Sequence, residues 1–425
     1  MELTENLHED MMQSDKKEHT GLVLSISTVI LGVIVGFSSL LLSLFLEGVE
    51  KLFLGFEETT LVPVATGVWS GRRLISLVLG GLIAAGAWYL LKKYFKPTVG
   101  INKALNGNEM PFWATVVHVM TQIFFVGTGG SIGRELAPRE AGAMLAQKWL
   151  DLLAWMKLDR LDQTDRRLLV AAAAGAGFAG VYIAPITGMM FSVEILMKKV
   201  DKRTVAVSLV MSVVATLVGS ILKGFHPYYF VADTKFTLIL LPFVLVVGPL
   251  GGLLGAYLRR AFQWAEQNKA QGSQILWQLP LVAGLTGLVA MIYPQIMGNG
   301  RGTAQLAIGT HSSNLVYLLI FGMLAKAIIT SLTIKAGAWG GTLTPSIAVG
   351  AAFGAIATFA YILLVPGASV SQGAVIGACA VLAASQQAPL MALFMIFEVC
   401  HLDYSALLPL SLSVALSIST AKLVK

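Results

Sequence analysis

The stretch Gly127-Thr128-Gly129-Gly130-Ser131-Ile132-Gly133-Arg134-Glu135-Leu136-Ala137-Pro138 decides how this chain reads. It interrupts apolar sequence: residues 110–133 carry no charge, and then Arg134, Glu135, Arg139 and Glu140 arrive together. Later in the chain, Gly340-Gly341-Thr342-Leu343-Thr344-Pro345 has the same form. Each passage is followed by an Ala-Pro pair and then a glutamate at the same spacing: Ala184-Pro185 with Glu194, and Ala388-Pro389 with Glu398. Glycines end a helix, and a proline shortly afterwards suits the first turn of the next. A helix starting near Glu135 would offer unpaired N–H groups and the positive end of its dipole. Thr342 and Leu343 have the same helix-start chemistry in the second passage. Such ends bind anions without a cationic side chain, and a site without a full positive charge can let the ion go again.

Composition sets the class. Hydrophobic residues are 56% of the chain and charged residues 12%, against about 25% charged in soluble proteins. Residues 21–46, 168–193 and the whole of 336–397 carry no Asp, Glu, Lys or Arg. About 20 apolar residues span a bilayer as one helix, so 336–397 must hold more than one helical pass or re-entrant piece. Strict alternation of the outer-membrane barrel kind is absent. The expected fold is an all-α integral membrane protein with two inverted-topology repeats and broken or re-entrant helices. Helices broken at membrane depth are tolerated only where their free backbone groups face a cavity, a ligand or other protein. Breaks in matching places are the mark of a transporter whose ion site lies between repeats.

Residues 1–20 are polar and mostly acidic, and the apolar run that follows is too long for a cleavable signal. They read as a cytoplasmic tail, followed by one transmembrane domain over 21–425, with repeat one roughly 70–205 and repeat two roughly 235–420. No soluble regulatory domain is expected. Lys92, Lys93 and Lys96 follow one apolar span, and Lys198, Lys199, Lys202 and Arg203 another. The positive-inside rule puts both clusters, and both termini, on the cytoplasmic side. The net charge of +7 is thereby explained by lipid headgroups, with no nucleic acid needed.

Other chemistries fare worse. Cys379 and Cys400 lack metal-type spacing, and the six histidines form no ligand pair, so no metal or cofactor is expected. The Gly127/Gly129 run fails as a dinucleotide loop, since Ile132 takes the third glycine position and no strand precedes it. A membrane-embedded hydrolase would need Ser131 as nucleophile, with His118 more than two turns away along one helix. Glu135 is the leading functional residue, because an ionisable group at membrane depth is a functional candidate by default.

At these residues the chain resembles the CLC family of chloride channels and proton/chloride exchangers. Gly133-Arg134-Glu135 is similar to the family's Gly-Arg-Glu-Gly-Pro motif, whose glutamate is the external gate. Gly340 to Pro345 resembles its Gly-x-Phe-x-Pro motif, where backbone amides bind chloride; this implies anion binding at Thr342 and Leu343. Pro97 to Asn102 falls where the family's Gly-Ser-Gly-Ile-Pro motif is expected, implying anion contacts from Val99, Gly100 and Ile101. Ala184-Pro185 with Phe191 and Glu194 resembles the helix that ends in a glutamate pair. There are departures. Val99 stands at the hydroxyl-donating serine, Leu343 at the phenylalanine, and Ile195 at the inner proton-transfer glutamate. No tyrosine follows Tyr404, so the central site is expected to lack its usual hydroxyls.

The resemblance implies a homodimer in a bacterial-type inner membrane, with chloride, other anions and protons as its partners. The expected function is slow proton-coupled chloride antiport gated by Glu135, with Glu194 or water beside Ile195 as the inner proton path. A passive chloride channel is the alternative. A non-transporting relative or the hydrolase stands further off.

Overall fold

The computed structural model describes residues 2–424, with side chains from Thr20 onward. The side chains of the expected tail thus lie outside the described residues, apart from Thr20. Among the described residues every extended element is helical. A first set runs α1 (Glu2–Leu54), α2 (Ser70–Tyr94), α3 (Ile101–Leu105), α4 (Phe112–Gly127), α5 (Leu136–Trp155), α6 (Gln163–Tyr182), α7 (Pro185–Met190) and α8 (Lys202–Lys223). A second runs α9 (Leu241–Gln267), α10 (Ile275–Ile292), α11 (Arg301–Gly309), α12 (Val316–Lys335), α13 (Leu343–Ile362), α14 (Val370–Gln386), α15 (Pro389–Val399) and α16 (Leu407–Ala421). The sets match one for one. α3 and α11 are short, a glycine break precedes α5 and α13, and an Ala-Pro pair opens α7 and α15.

Eight of the described helices are long and apolar enough to cross a membrane, and the protein is an integral membrane protein. The shorter apolar pieces, Phe112–Gly127, Pro185–Met197, Val370–Gln386 and Pro389–Val399, lie beside the breaks. Inside the bundle, α6 is buried from Leu168 to Tyr182 and α14 from Val370 to Ser385. Both are built largely of alanine and glycine. A helix buried all round needs no polar face, and small side chains let its neighbours approach closely.

A close backbone approach sets the position of α13. Gly350 and Gly354 on α13 face Gly373 and Gly377 on α14, each pair one small-xxx-small unit. A Cβ on Gly350 would lie 2.6 Å from the Gly377 carbonyl, and one on Gly377 would lie 2.6 Å from Gly354 Cα. Backbone packs directly on backbone there, so the start of α13 has little freedom to shift.

α6 and α14 end alike. Ile183 (φ 55°) and Gln387 (φ 54°) are left-handed residues, each directly before the Ala-Pro turn. For a β-branched residue such as Ile183 this conformation costs roughly 1–2 kcal/mol. Its retention shows that the surrounding contacts dictate the turn.

Gly377→Val is therefore expected to force α13 and α14 apart and to destabilise the detergent-solubilised protein by about 1–3 kcal/mol, the usual range for overpacking. Thermal unfolding against Gly86→Val, at a helical glycine whose added Cβ would meet nothing within 4 Å, measures the difference. Equal melting of the two variants would disprove the close-packing argument.

Candidate functional site

The two glycine breaks meet. Gly133 and Gly341 exchange both backbone hydrogen bonds, each N–H donating to the other's carbonyl at 2.8 Å, as a one-pair antiparallel bridge. Broken backbone inside a bilayer must find such partners. The antiparallel sense is that of two repeats related by inversion.

Glu135 stands at the N-cap of α5 and is 0% exposed. Its carboxylate does not cap its own helix but reaches across to α13. The Leu343 N–H donates to Oε1 at 2.6 Å and the Thr344 N–H to the same oxygen at 3.4 Å. The Thr344 hydroxyl donates to Oε2 at 3.2 Å. The acid thus fills the N-terminus of α13, where free amides and the dipole favour negative charge. Glycines make the room, since a Cβ on Gly133 or Gly341 would run into this carboxylate.

A hydroxyl chain leads outward. Tyr182, at the end of α6, lies 3.2 Å from Thr344 Oγ1. Because Thr344 gives its proton to Glu135, the Tyr182 hydroxyl is the donor in that contact. Tyr182 also lines a cavity of about 300 Å³ bounded by Glu58, Arg134, Lys223, Tyr228 and Arg301. Arg134 turns away from its neighbour Glu135, placing Nη1 3.4 Å from Glu58 Oε2 and stacking over the rings of Tyr182 and Tyr228. Arg301 holds Glu58 Oε1 at 2.5 Å. Burial pushes the Glu58 carboxyl up, but Arg134 and Arg301 more than offset this and bring it down to about 2. The stability this cluster contributes is present above the ordinary carboxylate range and is lost only as pH falls through about 2.

The remaining expected residues are distributed unevenly. Thr342 caps α13 and its hydroxyl accepts from Gln386 Nε2 at 3.3 Å, so the amides that meet Glu135 belong to Leu343 and Thr344. Gly100 caps α3, Ile101 begins it, and Val99 packs against the main core. Among the described residues no hydrogen bond joins these three to Glu135 or to α13. Ile195 lies in the π-helical extension of α7, Phe191–Met197, and packs against the core.

Glu194 has a definite partner. Its oxygens accept from Leu390 N–H at 3.1 Å and Met391 N–H at 2.8 Å, capping α15. Glu398, on α15, does the same for α7, accepting from Ile186 N–H at 2.8 Å, Thr187 N–H at 2.7 Å and the Thr187 hydroxyl at 2.6 Å. Each half-helix carries the acid that caps the other. The equal Pro185–Glu194 and Pro389–Glu398 spacings were the visible sign of this exchange.

Three further residues escaped sequence reading: Thr344, Tyr182 and Lys326. Lys326 is fully buried on α12, and its ammonium donates to Ser131 Oγ at 2.9 Å and to the carbonyls of Ile296 at 3.2 Å and Gly298 at 2.7 Å. As the lone charge inside an apolar helix, Lys326 was the findable one. Ser131, the residue a hydrolase would need, is thus held by Lys326. No hydrogen bond among the described residues links it to His118.

A bundle of paired, broken half-helices with an acid seated on a helix N-terminus defines a membrane anion-transport protein. The family model for the voltage gated chloride channel matches residues 80–422, and the chain belongs to that family. Relatives described as voltage-gated ClC-type chloride channel ClcB include one from Salmonella typhi, 30% identical over 82% of this chain and 84% of the relative. The ClcB of Citrobacter koseri is 27% identical over the same shares. Among solved structures, a slow cyanobacterial Cl-/H+ antiporter matches with a TM-score of 0.79, 20% identity and 94% coverage of both chains. A CLC-type fluoride/proton antiporter matches at 0.72, with 19% identity and coverage of 94% of this chain and 95% of that one. At these identities the structures establish the fold.

The cross-capping assigns Glu194 a structural task. Glu194→Ala and Glu398→Ala are each expected to lower stability by roughly 2 kcal/mol, the upper range for a lost helix cap. Glu194→Gln, which keeps an acceptor oxygen, should lose less and should leave any ratio of protons to anions unchanged. Unfolding in detergent together with flux in liposomes checks both. A normal melting point with lost proton movement would make Glu194 a proton carrier instead.

Proposed function

We propose that this protein is a slow antiporter that exchanges chloride for protons, with Glu135 as gate and proton carrier. One observation carries the reading: the Glu135 carboxylate occupies the α13 amides that an anion would need. A carboxylate is itself an anion and competes for that helix end. When a proton neutralises Glu135 its claim on the amides weakens, and chloride can take its place. The ionised carboxylate and the anion then exclude each other, so protonation of Glu135 is coupled to anion binding, which is the elementary step of exchange.

Supporting features lie on both sides. In the cavity that Arg134 shares with Lys223, Arg301 and four glutamates, Arg134 Nε is buried without a hydrogen-bond partner and is free to meet an approaching anion. Thr344 and Tyr182 supply hydroxyls in place of the serine and tyrosine that the sequence lacks. Val99 adds none, so selectivity is expected to be loose, and nitrate should compete appreciably with chloride. The site is complete within one chain, so a homodimer would carry two independent pathways. The lysine-rich ends of α2 and the α7–α8 link face the cytoplasm, in a bacterial-type inner membrane.

A passive anion pathway is the second reading. Ile195 favours it, because this apolar residue is packed where an inner acid would stand.

Simultaneous recording of chloride and proton movement from liposomes separates the two. A chloride gradient is expected to drive uphill proton movement in the unaltered protein. Glu135→Gln should keep chloride flux but lose proton movement and most pH response. Proton pumping that survives Glu135→Gln would refute the gate assignment, and chloride flux without proton movement in the unaltered protein would leave the passive pathway.

A further inference from the structure

Exchange needs a route for protons between Glu135 and the face of the membrane opposite the Arg134 cavity. Ile195 cannot carry them, and Glu194 is engaged as a cap. A second buried acid lies further along α5 itself. Glu140 is 5% exposed, on the helix that Glu135 begins. Five residues of α-helix advance roughly 7.5 Å along the axis.

Glu140 sits among neutral donors. Gln122 Nε2 donates to its Oε2 at 2.7 Å, and His118 Nε2 lies 3.4 Å from the same oxygen. The indole N–H of Trp88 donates to His118 Nδ1 at 3.1 Å. That contact makes Nδ1 the acceptor, so neutral His118 carries its proton on Nε2, facing Glu140. The cations around the pair are otherwise engaged. Arg139 donates to the Glu135 carbonyl at 2.6 Å. Lys269 donates to Glu266 at 3.1 Å and stacks on Trp339 at 3.7 Å, with Lys92 5.8 Å from the same ring. Among the described residues Glu140 has no ion pair with a lysine or arginine. A merely structural hydrogen-bond acceptor here would be served by glutamine. A carboxyl at this depth is costly unless its ionisation is used.

The cluster also points toward a surface. His118 meets the Trp339 ring edge-on at 5.1 Å between centroids, and on Trp339 lies Lys269, tied to the exposed Glu266. These groups and Lys92, at the end of α2, mark the lysine-rich face. Trp339 directly precedes the Gly340-Gly341 break, so this pathway and the anion site share one segment.

We propose that Glu140, held by Gln122 and beside His118, is the inner proton station of this protein, standing in for the acid absent at position 195. The inference rests on the exchange reading above. A proton arriving from the lysine-rich face adds to a Glu140 carboxylate oxygen. It then leaves that oxygen along a file of several waters to the Glu135 carboxylate. Glu140 returns to its anionic form as Glu135 becomes neutral and frees the Leu343 and Thr344 amides for chloride. Transfer in the other direction retraces these steps.

The test is Glu140→Gln in liposomes, with chloride and proton movement recorded together beside the unaltered protein. Expected is at least a ten-fold fall in the ratio of protons to chloride, with chloride flux within two-fold of normal. Glu140→Asp, which keeps an acid, should restore most of the ratio. An unchanged ratio in Glu140→Gln overturns the proposal while the exchange reading stands. Loss of both fluxes together assigns Glu140 a structural role and also overturns it. If the unaltered protein moves no protons, the exchange reading fails and the inference with it.

Discussion

A helix that begins in the middle of a membrane has free amides and no water to meet them. Here the Glu135 carboxylate meets those of α13, with the Leu343 N–H at 2.6 Å, and much of the surrounding structure serves that contact. The Gly133–Gly341 bridge brings the two breaks together, and glycines at 133 and 341 leave room for the side chain. The packing of α13 on α14 keeps the amides in place. Because the contact joins an acid from one repeat to a helix from the other, neither repeat could form the site alone.

The same rule is applied twice more between the half-helices α7 and α15. Glu194 and Glu398 exchange caps across the pseudo-twofold axis, so each short helix is completed by its counterpart. The surroundings of the three acids differ. Glu135 is linked by Thr344 and Tyr182 hydroxyls to a cavity of about 300 Å³. Glu194 and Glu398 each accept from two backbone amides, Glu398 also from the Thr187 hydroxyl, and among the described residues no hydrogen bond carries either on to that cavity. Capping of a helix end by an acid from the other repeat thus recurs three times, and the proposed gate is the one instance joined to that cavity.

Much of this was legible in the amino-acid order. Glycine runs followed by Pro138 and Pro345 announce helix starts at membrane depth, and Glu135, between the first run and its proline, announces the acid. The repeated Ala-Pro pairs mark the second set of breaks. What could not be read was which repeat would supply the amides, since that depends on how two distant breaks face each other. Thr342 and Leu343 were expected to bind an anion, and the amides that meet the Glu135 carboxylate are those of Leu343 and Thr344. Tyr182 was hidden for the same reason. Its hydroxyl acquires meaning only once α6 ends beside Thr344. Glu140 and His118 look unrelated in sequence and become a pair only when α4 packs against α5.

The most direct measurement concerns competition at the α13 amides. Crystals of Glu135→Ala grown or soaked in bromide can be searched for anomalous density at the helix end. If carboxylate and transported anion share one site, a bromide peak is expected within hydrogen-bonding distance of the Leu343 and Thr344 amides, and absent there in the unaltered protein. A variant whose amides take up no bromide, or which binds it only elsewhere, would contradict the claim that Glu135 holds the anion's place.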